Sequence, residues 1–174
     1  CVCVMNILNL NLKKIRKKFI KFKIPEGRGD IQFVKKFDKK FRLIDESYNA
    51  NPLSMMLAIN NLNNFNRKKI KRKIVILGDM LELGKKAKKF HRMLSETINK
   101  SDIDKVYVYG KLIKDTFIYI SNDKKGKIFN NLKDVYNHLS KIIHNNDLLM
   151  VKGSNATGLN SIAKNIKRSS SSAV

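Results

Sequence analysis

The most constraining feature of this 174-residue chain is a pair of uninterrupted apolar stretches, KIVILG at 73–78 and KVYVYG at 105–110. A strand with one face in water alternates apolar and polar residues, whereas a strand covered on both faces is apolar throughout, as these two nearly are. Between them, KKAKKFHRMLSETINK has the pattern of an amphipathic helix. Strand, helix and strand in this order predict parallel strands joined by a helical crossover.

The same alternation extends over most of the chain. We predict further strands at IQFV, FRLI, KIF and DLLMVKGS, and further helices at LSMMLAINNLNNF, LKDVYNHLSKII and LNSIAKNI. The predicted fold class is therefore α/β, with a Rossmann-like, mostly parallel sheet and helices on both faces. A helix is also predicted at 10–22, where apolar residues lie near helical spacing. The tail SSSSAV is of low complexity and is predicted to be disordered.

Polar residues follow the predicted strands at the point where each strand ends. The clusters are Asp45-Glu46, Gly78-Asp79, Gly110 and Lys152-Gly153-Ser154. Because parallel strands end at one edge of their sheet, where open α/β sheets bind ligands, these turns should meet along a single rim. The loop DESYNAN at 45–51 would then face a site, with Asn51 as N-cap and Pro52 in the first turn of the next helix.

Two stretches imitate a phosphate-binding loop without meeting its requirements. GDMLELGK at 78–85 has glycines one residue too far apart, and GSNATGLN at 153–160 lacks the Lys-Ser/Thr pair. No Gly-x-Gly-x-x-Gly follows a strand, so a dinucleotide site is not supported. The stretch VKGSNATGL can still be interpreted in two ways: backbone N–H groups that bind an anion, or a tight turn with an N-cap.

Single residues in these loops also have competing interpretations. Asp45 and Glu46 are adjacent on a strand end, so their side chains point to opposite faces and at most one reaches the site. Arg28, between two glycines, is either a mobile donor for phosphate or ribose or an exposed linker residue. Pro25, Gly27 and Gly29 mark the surrounding segment as a hinge or domain boundary. His91, inside a helix, is more typical of packing than of catalysis.

The net charge of +23 suggests a polyanion partner, but the lysines are scattered, which favours a solvated surface over a nucleic-acid interface. The only two cysteines, Cys1 and Cys3, supply at most half a zinc site, so no metal site is predicted within the chain. No apolar stretch is long enough to span a bilayer, and we expect a reduced cytoplasmic protein. The start without Met, inside an apolar stretch, leads us to expect a fragment.

Taken in order, GRG, IDESYNANPLSM, VILGDMLELG with a downstream histidine, and VKGSN resemble the Mur ligase family over roughly residues 6–168. The resemblance is to the carboxyl-terminal part of the members that add a dipeptide in peptidoglycan synthesis. It implies that 1–26 is the end of a central ATPase domain, that 27–168 is the Mur ligase carboxyl-terminal domain, and that 169–174 is a tail.

The resemblance also implies roles for individual residues. It assigns nucleotide binding to Arg28, Glu46, Asn49 and Asn51. It assigns binding of the incoming dipeptide to Lys152, Ser154 and Asn155. Asp79 and His91 match recurring positions whose role stays unassigned, and no catalytic residue is expected within this chain.

In that family, ATP phosphorylates the carboxylate of a UDP-linked tripeptide, and the amine of D-alanyl-D-alanine attacks it. The implied partners are these three small molecules, Mg²⁺ held mainly by a central domain, and the central and amino-terminal domains of the same enzyme. Because the chain has no Walker loop, we expect no ligase activity from it alone. The alternatives are another Mur-type or folylpolyglutamate-type ligase domain, or a basic nucleic-acid-binding module.

Overall fold

The computed structural model describes residues 4, 7–9 and 24–168. The helix predicted at 10–22 and the disordered tail predicted at 169–174 lie outside these residues. Within the described residues, no helix is both long and apolar enough to cross a membrane.

One six-stranded sheet forms the centre of the fold, with the strand order β1-β2-β6-β3-β4-β5. The strands are β1 (Asp30–Lys36), β2 (Lys39–Glu46), β3 (Lys73–Gly78), β4 (Lys105–Tyr109), β5 (Lys125–Phe129) and β6 (Leu148–Lys152). The pairs β2–β6, β6–β3, β3–β4 and β4–β5 are all parallel. Only the pair β1–β2 is antiparallel. The predicted mostly parallel sheet is therefore confirmed.

The first two strands form a hairpin that is longer than the sequence patterns predicted. Both strands extend beyond IQFV and FRLI, and Phe37 and Asp38 join them with positive φ angles of 55° and 56°. A two-residue turn of this kind usually carries Asn-Gly or Asp-Gly, and its absence explains why no hairpin was predicted here.

Helices cover both faces of the sheet, as predicted. They are α1 (Pro52–Asn63), α2 (Ala87–Lys100), α3 (Lys114–Tyr119), α4 (Leu132–Ile142) and α5 (Leu159–Lys167). All six residues of β3 are buried, and they alternate between two apolar clusters: Val75 and Leu77 face α1 and α2, whereas Ile74 and Ile76 face α4 and α5. The uninterrupted apolar stretch thus results from burial on both faces.

Charged residues close the amino ends of the parallel strands. Lys73 is fully buried, and its Nζ donates to the Leu62 carbonyl and to Asp102 Oδ2, both at 2.6 Å. Beside it, Arg72 pairs with the buried Asp147 at 2.6 Å. Burial alone would raise the pKa of Asp102, but the hydrogen bond and charge of Lys73 hold that pKa below its ordinary value.

Candidate functional site

Ser154 joins three of the four turns that the sequence places at one rim. Its backbone N–H donates to the Asp79 carbonyl at 3.0 Å, and its hydroxyl accepts from Leu81 N at 3.0 Å. The same hydroxyl lies 3.4 Å from the Ala50 carbonyl. Ser154 therefore connects the turns after β6 and β3 to the loop after β2, and the predicted single rim is confirmed.

The adjacent acids at the end of β2 point in opposite directions, as their position on a strand predicts. Asp45 is buried and accepts from Lys167 Nζ at 2.6 Å, on the α5 side of the sheet. Glu46 accepts instead from Lys152 Nζ, at 3.2 Å, on the other side. Only Glu46 therefore faces the cavity described below, and Asp45 fastens α5 to the sheet.

Lys152 is a buried lysine whose ammonium group lies at the rim. The residue is 1% exposed, and its Nζ donates to Glu46 Oε2 and to the Asn49 carbonyl, both at 3.2 Å. Burying an ammonium group is unfavourable unless it is paired, so these two acceptors keep the charge in place. Both contacts are long for charge-assisted hydrogen bonds.

The Gly-Arg-Gly segment is fixed to the end of β2 and is not a mobile linker. Gly29 N donates to the Asp45 carbonyl at 2.7 Å, and Tyr48 N donates to the Gly27 carbonyl at 3.1 Å. Both glycines have positive φ, 77° and 90°, which a side chain would strain. A Cβ on Gly27 would also meet Tyr48 at 3.0 Å. The backbone on both sides of Arg28 is therefore hydrogen-bonded to β2 and to the loop after it.

A cavity of about 280 Å³ lies between these groups, and we call it the hinge-side cavity. Its lining residues are Gly27, Arg28, Glu46, Tyr48, Asn49, Asn51, Ser54 and Lys152. It brings together all four residues predicted to bind nucleotide and one predicted to bind the dipeptide. Its walls offer two cationic groups, one carboxylate and several amides.

The two asparagines of this cavity also have local structural roles. Asn51 Oδ1 accepts from Ser54 N at 2.8 Å, and Ser54 Oγ accepts from Asn51 N at 3.0 Å, which together form a capping box at α1. Asn49 Oδ1 accepts from Ala50 N at 2.8 Å. The predicted N-cap is confirmed, and the Asn51 oxygen is committed to it.

A larger cavity of about 420 Å³ lies on the other side of Ser154, and we call it the β4-side cavity. It is lined by Asp79, Leu81, Tyr109, Gly110, Lys111, Lys114, Phe129, Asn130, Ala156 and Thr157. The Asp79 carboxylate accepts three backbone N–H groups, from Lys111, Leu112 and Ile113, at 2.8–3.0 Å. Its hydrogen bonds are therefore made to the backbone and not to the ammonium groups of the two lysines. The cavity therefore presents ammonium groups and apolar walls.

Asp79 and His91, whose roles were unassigned, hold the turns around this cavity. His91 is fully buried, its Nε2 accepts from Met80 N at 2.9 Å, and its Nδ1 lies 2.8 Å from the Ala87 carbonyl. The tautomer protonated at Nδ1 satisfies both contacts. His91 thus fixes the backbone directly after Asp79, and it packs as its helical position suggested.

The residues predicted to bind the dipeptide do not all face one cavity. Ser154 is 7% exposed and is occupied by its three backbone partners. Asn155 is exposed, accepts from Asn160 Nδ2 at 2.6 Å, and lines a third, smaller cavity beside Tyr48. The turn is a 3₁₀ segment, Asn155–Thr157, that ends at Gly158 with φ of 80°.

Sequence reasoning missed Tyr48, Lys111 and Lys114, which line the two main cavities. Lys111 and Lys114 follow a strand end and could have been found from that position, but they are two among many lysines. Among the described residues, no three His, Cys, Asp or Glu side chains are grouped so that they could hold a metal ion.

The family model described as "Mur ligase, glutamate ligase domain" matches residues 31–155. The chain therefore belongs to the Mur ligase family, as the sequence motifs predicted, and forms the carboxyl-terminal domain of such a ligase. Within the family, the domain is of the MurF type, the type found in proteins named UDP-N-acetylmuramoyl-tripeptide–D-alanyl-D-alanine ligase.

Three curated relatives with that name show how much is shared. The protein from Buchnera aphidicola subsp. Baizongia pistaciae is 32% identical over 82% of this chain and 30% of its own length. The protein from Bacillus subtilis is 31% identical over 75% of this chain and 29% of its own length. The protein from Rickettsia prowazekii is 28% identical over 91% of this chain and 34% of its own length. The chain thus spans about a third of the length of these relatives.

Solved structures show the same fold. The MurF ligase from Thermotoga maritima in complex with ADP matches with a TM-score of 0.77 and 23% identity, covering 96% of this chain and 36% of that one. The bifunctional folylpolyglutamate synthase/dihydrofolate synthase from Yersinia pestis matches with a TM-score of 0.59 and 14% identity, covering 89% and 34%. Because the family model and the curated relatives both indicate a MurF-type domain, the folylpolyglutamate-type and nucleic-acid-binding alternatives are not favoured.

Proposed function

We propose that this chain acts as the carboxyl-terminal domain of an ATP-dependent ligase that joins D-alanyl-D-alanine to a UDP-N-acetylmuramoyl tripeptide in the cytoplasm. The relatives' shared name supports the reaction. The observation that carries the proposal is the hinge-side cavity, in which Arg28, Glu46, Asn49, Asn51 and Lys152 converge. ATP would activate the tripeptide carboxylate as an acyl phosphate, and the dipeptide amine would displace phosphate.

On the nucleotide side, the chain's own residues would orient the phosphates and the ribose. The Arg28 guanidinium, which is always charged, lies at the mouth of the cavity and can donate two parallel hydrogen bonds to a phosphate. Lys152 would place a second positive charge behind it. Glu46, held by Lys152 at 3.2 Å, can accept from ribose hydroxyls. Positioning and charge neutralisation are the main contributions expected of such a domain.

For the dipeptide, the β4-side cavity adds further candidate binding residues to the predicted ones, Lys152, Ser154 and Asn155. Lys111 and Lys114 can pair with the dipeptide carboxylate, and apolar walls such as Ala156 can contact its methyl groups. Ser154 would act through the backbone that it holds in place. Mg²⁺ would be held mainly by the central domain, where it would neutralise the ATP phosphates during transfer.

The dipeptide assignment can be tested on the 174-residue chain by NMR titration with D-alanyl-D-alanine and, as a matched control, L-alanyl-L-alanine. We expect amide shifts at 110–114 and 153–157 with the D,D isomer, and weaker binding of the L,L isomer. Equal responses to both isomers, or shifts elsewhere on the sheet, would contradict the assignment.

The reaction can be tested with a chimera in which residues 24–168 replace the matching third of the Bacillus subtilis relative. Phosphate release that requires ATP, the UDP-linked tripeptide and D-alanyl-D-alanine together is the expected result. The 174-residue chain alone should release none, because it contains no Walker loop. A folded chimera that releases phosphate at the same rate with and without the dipeptide would refute the proposed reaction.

A further inference from the structure

Among the residues that the structure describes, Tyr48 is the one aromatic residue lining the hinge-side cavity. No role was predicted for it from the sequence. The residue is about half exposed, at 49%, in the loop between β2 and α1. The Arg28 guanidinium carbon lies 4.2 Å from the centre of the Tyr48 ring, within the range of a cation–π contact. The ring therefore serves as a platform for the arginine.

The backbone around Tyr48 holds the same pair together. Tyr48 N donates to the Gly27 carbonyl at 3.1 Å, one residue before Arg28, and Gly29 N donates to the Asp45 carbonyl at 2.7 Å, one residue after it. Arg28 is thus fixed on both sides to β2 and to the start of the loop that carries Tyr48. The backbone of Arg28 is therefore part of the carboxyl-terminal domain and should keep its position relative to β2.

The space around the two glycines leaves little alternative to this arrangement. A Cβ on Gly27 would lie 3.0 Å from the Cβ and the N of Tyr48, and a Cβ on Gly29 would lie 2.8 Å from Glu46 Oε1. The segment is therefore packed directly against the two residues on which the cavity depends. Arg28 retains freedom only in its side chain, and the Tyr48 ring is what limits that freedom.

We propose that Tyr48 is a positioning residue: its ring holds the Arg28 guanidinium at the mouth of the hinge-side cavity, ready for the phosphates of a nucleotide. The inference rests on the proposed nucleotide contact of Arg28 and adds the residue that prepares it. Tyr48 itself needs no contact with the nucleotide. Holding a flexible side chain in its bound position reduces the entropy lost on binding.

The test uses the 174-residue chain and three variants: Tyr48→Leu, which removes the aromatic face, Tyr48→Phe, which keeps it, and Arg28→Ala. In wild type and Tyr48→Phe, the ring current of the aromatic face should shift the Arg28 side-chain NMR signals away from those of exposed arginines. In Tyr48→Leu the signals should return to the positions of exposed arginines. Arg28 side-chain signals that are the same in Tyr48→Leu as in wild type would overturn the proposal.

ADP titration of the same proteins supplies the functional readout. Tyr48→Leu should weaken ADP binding about twofold to fivefold, as expected for an exposed cation–π contact, whereas Tyr48→Phe should bind like wild type. In an added double variant, Arg28→Ala with Tyr48→Leu, ADP should bind as it does to Arg28→Ala alone. If Arg28→Ala weakens binding but Tyr48→Leu does not, the positioning role is wrong. If Arg28→Ala has no effect, the nucleotide contact in the proposed function is wrong instead.

Discussion

The two ends of the parallel strands each contain a buried lysine, and the two lysines differ in their surroundings. At the amino end, Lys73 donates to a carbonyl and a carboxylate at 2.6 Å, within a network that also includes Arg67 and Arg72. At the carboxyl end, Lys152 has the same two kinds of acceptor at 3.2 Å and borders a cavity. The same residue type thus closes the fold at one end and borders the candidate site at the other.

The difference suggests the hypothesis that this α/β fold places stabilising contacts at one sheet end and binding groups at the other. At the amino end, most backbone groups and carboxylates pair with one another: Asp104 also accepts from Lys73 N at 2.6 Å, and Asp147 from His144 N at 2.7 Å, although Asp102 Oδ1 is buried without a hydrogen-bond partner. At the carboxyl end, the contacts of Lys152 are longer and border open space, and we expect its partners to be exchangeable for a ligand.

The largest effect is expected from removing the buried lysine of the amino end. Lys73→Met removes the shortest hydrogen bonds of the Leu62 carbonyl and of Asp102, which keep longer contacts such as Phe65 N and Arg67 Nε, both at 3.2 Å, and it should lower the free energy of unfolding by about 3 kcal/mol. Lys152→Met should cost only about 1 kcal/mol, because its two hydrogen bonds are longer, at 3.2 Å, and lie beside a cavity. Urea unfolding of both, with Lys133→Met as an exposed control, measures the difference.

The comparison fails if Lys152→Met proves the more destabilising of the two. The same variant should weaken ADP binding, whereas a Lys73→Met protein that still folds should bind ADP like wild type.

A smaller effect is expected at the turn between β3 and α2. Asp79→Asn keeps the size of the side chain but sets an NH₂ group against the backbone N–H donors of 111–113. We expect a loss of about 2 kcal/mol in the free energy of unfolding, since a buried polar group is left without a proper partner. Asp123→Asn, an exposed aspartate, is the matched control. Equal stabilities of the two variants would show that Asp79 does not hold this turn.

The smallest effect is a dependence of stability on alkaline pH. Burial alone would lower the pKa of Lys167, but hydrogen bonds and charges from Asp45 and Asp30 raise it above its ordinary 10.5. A group whose pKa is higher in the folded state stabilises the fold fully below its unfolded value and loses that contribution as the pH rises through the folded value. The contribution of Lys167 should therefore be complete below about pH 10.5 and be lost as the pH rises beyond that value.

Urea unfolding between pH 9 and 11.5 of wild type and Lys167→Met measures this contribution, since the other lysines titrate in both proteins. The stability difference between them should shrink as the pH rises. A difference that stays constant would mean that the ion pairs of Lys167 do not contribute.

The sequence predicted the fold well because strand burial and helix periodicity are local patterns. KIVILG became a fully buried strand, and Asn51-Pro52 began α1 as expected. The β1–β2 hairpin was missed because Phe37 and Asp38 form an uncommon pair for such a turn. The shared rim was predictable from parallel topology, and the hydrogen bonds of Ser154 confirm it.

The details of the site were less predictable because they depend on contacts between residues far apart in the chain. Nothing local in the sequence shows that Lys152 lies beside Glu46, more than a hundred residues away, or that Arg28 lies on Tyr48. The glycines around Arg28 indicated flexibility, but they are required for close packing and positive φ. The nucleotide and dipeptide assignments stay predictions.

The most direct test of the division between the two sheet ends is a map of ADP binding by NMR on the 174-residue chain at physiological salt. Pyrophosphate serves as a control for simple attraction of anions to a chain of net charge +23. We predict ADP-specific amide shifts confined to 26–29, 46–54 and 152. Shifts centred on 67–73 and 102–104, or the same diffuse pattern with ADP and pyrophosphate, would contradict the account.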